Sequence, residues 1–184
     1  LGRMRIFAVD ATPSPTAYME FRREPLGSSG DGARQPFRLV SKNNGRGYPL
    51  DETTQGEAEL QAALNVCEIV ARESKGERCP SCGLPPGLLI GGDADSPRAA
   101  MTKGYSCSPR FRERMRPVLK GGRVWLRMVR IPGEVNAGDG PSRWRRATER
   151  EIAESASILE NAYRSLIIEA EGQQAAEKVS KVGS

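Results

Sequence analysis

The sequence predicts a mixed α/β fold: a five-stranded mixed sheet in which three antiparallel strands are followed by parallel additions, helices on both faces, and a C-terminal helix. Three observations predict it. The N-terminal part holds three short strand-like runs separated by turn-forming residues, which suits an antiparallel meander. The middle alternates between helical and strand-like patterns, which suits parallel strands covered by helices. The C-terminal part is helical in composition, with one apolar side.

The elements follow in order. Arg5 to Val9 (RIFAV) reads as a short buried strand, ended by Asp10 and the breakers Thr12-Pro13-Ser14-Pro15. Ala17 to Arg23 (AYMEFRR) alternates in part and reads as a second strand. Gly27 to Gln35 is a loop, Pro36 to Val40 (PFRLV) a third strand, and Asn43 to Tyr48 another loop. From Thr54 to Glu73 the pattern is helical: Leu60, Leu64, Cys67 and Ala71 form one stripe, flanked by Ala63 and Val70. Lys75 to Pro86 is a loop. Leu88, Leu89 and Ile90, closed by Gly91-Gly92, read as a buried strand. Ser96 to Thr102 and Pro109 to Leu119 read as short helices. Val124 to Ile131 (VWLRMVRI) alternates and supplies the last strand, with Val124, Leu126, Met128 and the Trp125 ring available for packing. Pro132 to Ser142 is loop. Arg146 to about Lys178 is the C-terminal helix, with Ile152, Ser155, Leu159, Ala162, Leu166 and Ile168 on its apolar side, before a frayed tail.

At 184 residues and 38% apolar content, the chain suits one domain with some extra sequence. No apolar run is long enough to span a membrane, and no apolar segment of a signal peptide precedes the first strand, so an intracellular, non-secreted protein is expected. The first residue is Leu, as in a fragment or detached domain of a larger protein. The net charge is +5, and its basic residues concentrate from Arg98 to Arg130 and again from Arg143 to Arg150, which is what a phosphate backbone attracts. Of the cysteines at positions 67, 79, 82 and 107, only Cys79 and Cys82 form a CxxC, and the chain has no His. A zinc site at Cys79 and Cys82 is therefore not expected; free thiols in a reducing compartment are, with Cys67 a small core residue.

In such sheets, ligands gather where strands end. Asp10 ends the first strand, Asp93 and Asp95 follow the strand at Leu88–Ile90, and Asp139 lies after the last strand. Glu57 and Glu59 stand at the start of the long helix. Taken singly, each is explained by turn preference, helix capping or the helix dipole. Taken together, converging carboxylates need a cation to neutralise them, and hard oxygen donors suit Mg²⁺ or Mn²⁺.

These residues sit in segments that resemble ribonuclease H domains of retrotransposons. GEAELQAALNVCEIVA resembles the first long helix of that family, where a Glu precedes Leu and a pair of alanines, which implies Glu59 rather than Glu57. GGDADSPRAAMTKGYSCSPRFRERM resembles the strand-end Asp and following helices, and spacing to Lys103-Gly104 implies Asp93 rather than Asp95. VWLRMVRIPGEVNAGDGPSRW resembles the closing strand and loop: a Pro, an Asn three before an Asp, then Pro-Ser-Arg, which implies Asp139. FAVDATPS resembles the opening strand with its catalytic Asp, here Asp10. The likeness covers roughly residues 4 to 146 and is greatest to tyrosine-recombinase-type and similar elements, where the domain follows a reverse transcriptase.

The resemblance implies a ribonuclease H-like domain over residues 1–146, with residues 147–184 as a C-terminal helix and tail. It implies a metal-dependent endoribonuclease that cleaves the RNA strand of RNA–DNA hybrids by a two-metal mechanism, as part of a retroelement reverse-transcription polyprotein. Asp10 would be shared by the metals, with Glu59 and Asp93 to one side and Asp139 to the other. Arg110, Arg112, Arg114, Arg116, Lys120, Arg123 and Arg143 would contact nucleic acid, and Trp125 or Trp144 would stack on a base or sugar or pack in the core. The chain departs from the family in Pro13 and Pro15 behind Asp10, in the CxxC segment between Glu59 and Asp93, and in its lack of His. The alternative is a catalytically decayed nucleic-acid-binding module on the same fold. A third reading, from another class, is an interaction protein built on the helix at Arg146–Lys178.

Overall fold

The computed structural model describes residues 4–12, 15–26, 37–42, 46–49, 54–75, 77–80, 83–120 and 124–182. The expected loop at Gly27–Gln35 lies outside these, as do Pro13, Cys82, Arg123 and the last two residues of the tail.

The apolar run at the N-terminus becomes β1 (Arg5–Ala11), buried on both faces because it sits in the middle of the sheet. It pairs antiparallel with β2 (Pro15–Pro25), Asp10 facing Ala17 in register. The turn between them is closed by the Thr12 amide donating to the Pro15 carbonyl at 2.9 Å. β3 (Phe37–Ser41) pairs with the C-terminal half of β2, Leu39 opposite Arg23. β4 (Arg46–Pro49) pairs with the N-terminal half, Tyr48 opposite Thr16. Much of β4 falls where the sequence suggests a loop. Its Gly47 breaks any alternating pattern, and the open edge of β2 supplies the pairing that local propensity does not. β3 and β4 thus share one edge position.

After α1 (Gln55–Glu73), β5 (Gly87–Gly92) adds parallel to β1, and β6 (Trp125–Arg130) adds parallel to β5. The main path is β3-β2-β1-β5-β6, three antiparallel positions followed by two parallel ones. This is the mixed sheet that the sequence predicts, with antiparallel strands first and parallel additions after them.

Period-2 alternation sends neighbouring residues to two separate cores. Phe7, Val9, Leu88 and Ile90 pack under α1, α2 (Asp95–Lys103) and α3 (Pro109–Leu119). Ile6, Ala8, Met19, Phe21 and Leu89 pack under α5 (Glu149–Val182). Helices therefore cover both faces. Leu60, Leu64 and Cys67 are fully buried, and each such Leu contributes about 1.5–3 kcal/mol relative to exposure.

α1 starts at a capping box: Thr54 accepts from the Glu57 amide, and the Glu57 carboxylate accepts from the Thr54 amide. α5 starts at Glu149, later than composition suggests, because Thr148 and Glu151 exchange the same pair of bonds. It continues through Val182 instead of fraying at Lys178. Ala156, Leu159, Tyr163 and Leu166 bury against the sheet, so this half of the helix docks on its own domain. Ile168, expected on the apolar side, is 68% exposed because it falls off the row through Leu159, Tyr163 and Leu166. Trp125, expected to offer its ring for packing, is 40% exposed on the last strand. Among the described residues no helix is long and apolar enough to cross a membrane.

The stretch Pro132–Ser142, expected as plain loop, contains a 3-10 turn (Gly133–Val135) and the short α4 (Asp139–Ser142). Buried Asn136 is the reason. Its side-chain amide donates to the Val9 carbonyl at 2.8 Å, and its side-chain oxygen accepts from the Gly138 amide at 3.0 Å. Ser155 of α5 braces the same segment, accepting from the Ala137 amide and donating to the Val135 carbonyl.

Candidate active site

Four elements bring carboxylates to the end of the sheet where β1 and β5 finish. Asp10 is the penultimate residue of β1, Asp93 follows β5, Glu59 lies in the first turns of α1, and Asp139 begins α4. Two adjoining cavities are formed there. One, of about 440 Å³, is lined by Asp10, Gln55, Asp93, Asp139, Arg143 and Glu151, among others. The other is far narrower and is lined by Asp10, Glu59, Asp93 and apolar neighbours. Asp10 and Asp93 are common to both.

The alternates from the sequence go elsewhere. Glu57 is taken up in the capping box of α1. Asp95 is exposed and accepts from Arg98 at 2.7 Å. Glu57 and Asp95 thus each have a partner at the start of their own helix.

Asp10 is 7% exposed. Burial pushes its carboxyl up to about 7, and the charges of Asp93, Asp139 and Glu59 push the same way. A hydrogen bond of 2.5 Å to the Ser142 hydroxyl opposes the rise. Burial also raises Glu59, with Asp93 adding to it. Gln55 steadies Glu59, donating to its carboxylate at 2.7 Å and to the Ala11 carbonyl at 2.6 Å. One oxygen of Asp93, Oδ1, is buried with no hydrogen-bond partner.

Asp139 differs. Arg143 and Arg145 each donate to it at 2.6 Å, and Arg145 also grips Glu151 at 2.6 Å. Arg145 is the main reason that Glu151 is held below the usual carboxylate range. The close approach of this loop to β1 requires glycine at position 138: a Cβ there would lie 2.8 Å from the Asp10 nitrogen and from the Val9 carbonyl carbon.

The donor set and the orphaned Asp93 oxygen fit a hard divalent cation. Among the described residues, however, no group of three or more acidic or Cys side chains is drawn together tightly enough to hold one ion. Uncompensated carboxylates repel one another, and Asp139 is drawn to its two guanidiniums.

The sequence does not single out Gln55, Ser142, Arg145, Glu151 and Ser155. Ser142 stands in the NAGDGPSR motif and could have been found there; Gln55, Arg145, Glu151 and Ser155 carry no local signal. The expected basic contacts are dispersed along α3 and beyond it. Arg110 lies 3.6 Å from Glu57, and Arg114 donates to Gln61 at 3.1 Å. Arg112, Arg116 and Lys120 are exposed. Cys67 is buried, Cys79 half-buried and Cys107 exposed.

No family model matches the chain, and no curated protein matches it. Among solved structures it is similar to RNase H1 from the halophilic archaeon Halobacterium salinarum, at 17% identity over 83% of this chain and 93% of that one, with a TM-score of 0.44. It is also similar to LC11-RNase H1, solved in complex with an RNA/DNA hybrid, at 15% identity over 72% of this chain and 88% of that one, with a TM-score of 0.49.

Proposed function

We propose that the protein is a metal-dependent endoribonuclease that cleaves the RNA strand of RNA–DNA hybrids, with Asp10, Glu59, Asp93 and Asp139 as its metal-holding carboxylates. The observation that carries this is the sharing of Asp10 and Asp93 between two cavities, one completed by Glu59 and the other by Asp139. Mg²⁺ or Mn²⁺ bound there supplies an activated water and a counter-charge for the leaving 3′ oxygen. The residues themselves hold that arrangement: Ser142 orients Asp10, Gln55 orients Glu59, and Asn136 fixes the loop that carries Asp139.

The exposed cations Arg112 and Arg116 of α3 and Lys120 just past its end, together with Arg110, Arg114, Arg123 and Arg143, are the proposed contacts to hybrid phosphates. The motif order favours an origin in a retroelement reverse-transcription polyprotein, beside a reverse transcriptase, with residues 1–146 as the nuclease unit and 147–184 as its helical extension. Free thiols at Cys67 and Cys107 suit a reducing, intracellular setting.

One observation favours a second reading, a catalytically decayed nucleic-acid-binding module: Asp139 is already neutralised by two guanidiniums. Cleavage of a labelled hybrid in Mg²⁺ or Mn²⁺ separates the two, comparing the parent with Asp10→Asn and Asp93→Asn. Activity in the parent alone is expected. Equal activity in all three sinks the site assignment, and salt-sensitive hybrid binding without cleavage by the parent establishes the decayed module.

A further inference from the structure

Trp144 is 65% exposed, which excludes a core role for a side chain of this size. It also holds φ at 56°, a left-handed conformation that bulky residues rarely adopt. Such a conformation persists only where the surroundings over-determine it, and such residues cluster at ligand clamps.

The surroundings here are rigid. The Gly140 carbonyl accepts from the amides of both Arg143 and Arg145, at 3.1 and 3.0 Å, and the Trp144 amide donates to the Pro141 carbonyl at 3.1 Å. The chain returns so closely that a Cβ on Gly140 would lie 2.5 Å from the Ala147 nitrogen. The residues on either side of Trp144 are Arg143 and Arg145, both clamped on Asp139, and Arg145 is clamped on Glu151 as well. The loop therefore exposes an indole ring on the segment whose Arg143 and Arg145 hold Asp139, with Arg146 next along the chain. Aromatic rings interleaved with cations are the chemistry that takes the flat face of a nucleotide while its phosphate is neutralised.

We propose that Trp144 is a stacking platform for the nucleotide beside the bond to be cleaved, its indole packing on an exposed base or sugar ring of the bound nucleic acid. This rests on the nuclease reading of the neighbouring carboxylates and adds to it a subsite that the carboxylates do not provide.

The test uses the full chain with Trp125→Phe, which leaves Trp144 as the only Trp of the two present, in an Asp10→Asn background so that substrate is not consumed. Titration with an RNA–DNA hybrid in Mg²⁺ is followed both by indole emission and by anisotropy of a label on the hybrid. Trp144 emission should change at the same hybrid concentration as the anisotropy, quenched by a base or shifted to the blue by a sugar ring. Trp144→Leu should weaken hybrid binding at least about five-fold, while Trp144→Phe keeps most of it. Trp144→Gly should weaken binding as much as Trp144→Leu without lowering Tm, because glycine adopts the left-handed backbone freely. Hybrid binding with unchanged emission overturns the proposal and leaves the nuclease reading standing, and so does binding by Trp144→Leu equal to that of the parent. A Tm several degrees lower for Trp144→Gly assigns the ring a structural role and overturns it too. No hybrid binding by the parent overturns both.

Discussion

The two halves of the carboxylate site are in opposite electrostatic states. Among the described residues, no ion pair reaches Asp10, Glu59 or Asp93, the first two are raised by burial, and an oxygen of Asp93 is buried unpaired. In the wider of the two cavities, Asp139 and Glu151 are held by Arg143 and Arg145, with contacts of 2.6 Å. The difference teaches what each half does when no cation is bound. The open half keeps the repulsion that a divalent ion would relieve. The paired half has its own countercharge and fixes the loop.

The largest expected effect comes from the open half. Asp10→Asn should abolish hybrid cleavage and yet stabilise the protein in EDTA at pH 8. The sign follows from the raised carboxyl. Ionising Asp10 is harder in the folded chain, about 7, than in the unfolded chain. Stability is therefore lost as pH climbs from about 4 through about 7, and the full penalty stands above that window. A rise of roughly three pH units corresponds to at most about 4 kcal/mol. Asn keeps the partnership with the Ser142 hydroxyl and removes the charge. Denaturant melts at pH 8 and at pH 3.5 measure the difference, which should be large at the first and near zero at the second. A gain of equal size at both pH values would show that charge is not its cause.

This contrast also marks where the sequence is legible. The apolar runs locate the sheet because RIFAV and GLLIGG are buried on both faces, which leaves hydrophobicity as the only pattern they can show. The motif NAGDGPSRW locates Asp139 because three of its residues are each committed to β1: Asn136 to the Val9 carbonyl, Gly138 to close approach, and Ser142 to Asp10. β4 is not legible, since its pairing is decided by the free edge of β2 and not by its own residues. Arg145 and Glu151 are not legible either. They stand six positions apart, and only the folding back of the chain at Gly140 makes them partners of each other and of Asp139. The basic residues illustrate the same limit: composition groups Arg110 with Arg143, but one stands beside the capping box of α1 and the other on Asp139.

A middle-sized effect is expected from breaking the paired half. Arg145→Ala leaves Glu151, 7% exposed, without the guanidinium that lowers its carboxyl. The expected cost is about 1–2 kcal/mol at pH 7, toward the low end of values for stranded buried charges because the arginine itself is partly solvated. A depressed carboxylate contributes stability above its ordinary range and loses it as pH falls. The penalty should therefore shrink toward pH 3, as the gain from Asp10→Asn does, but with the opposite sign. Thermal melts of both variants across pH test the contrast directly, and differences from the parent of the same sign near neutral pH would dissolve it.

The smallest expected effect sharpens the comparison most. The Arg143 side chain is 63% exposed, and its contact to Asp139 is a surface ion pair, which is worth only about 0–1 kcal/mol. Arg143→Ala should therefore leave stability in EDTA almost unchanged. Its consequence lies in competition. A guanidinium on Asp139 opposes any cation that needs the same oxygen, so removing it should lower the Mg²⁺ concentration for half-maximal thermal stabilisation by roughly two- to five-fold, the factor that up to about 1 kcal/mol of lost competition allows. Measured without nucleic acid, this readout is independent of any phosphate contact that Arg143 makes. A higher Mg²⁺ requirement would mean that the arginine holds Asp139 in the position a cation needs, and the paired half would then be part of the metal site's framework instead of its competitor.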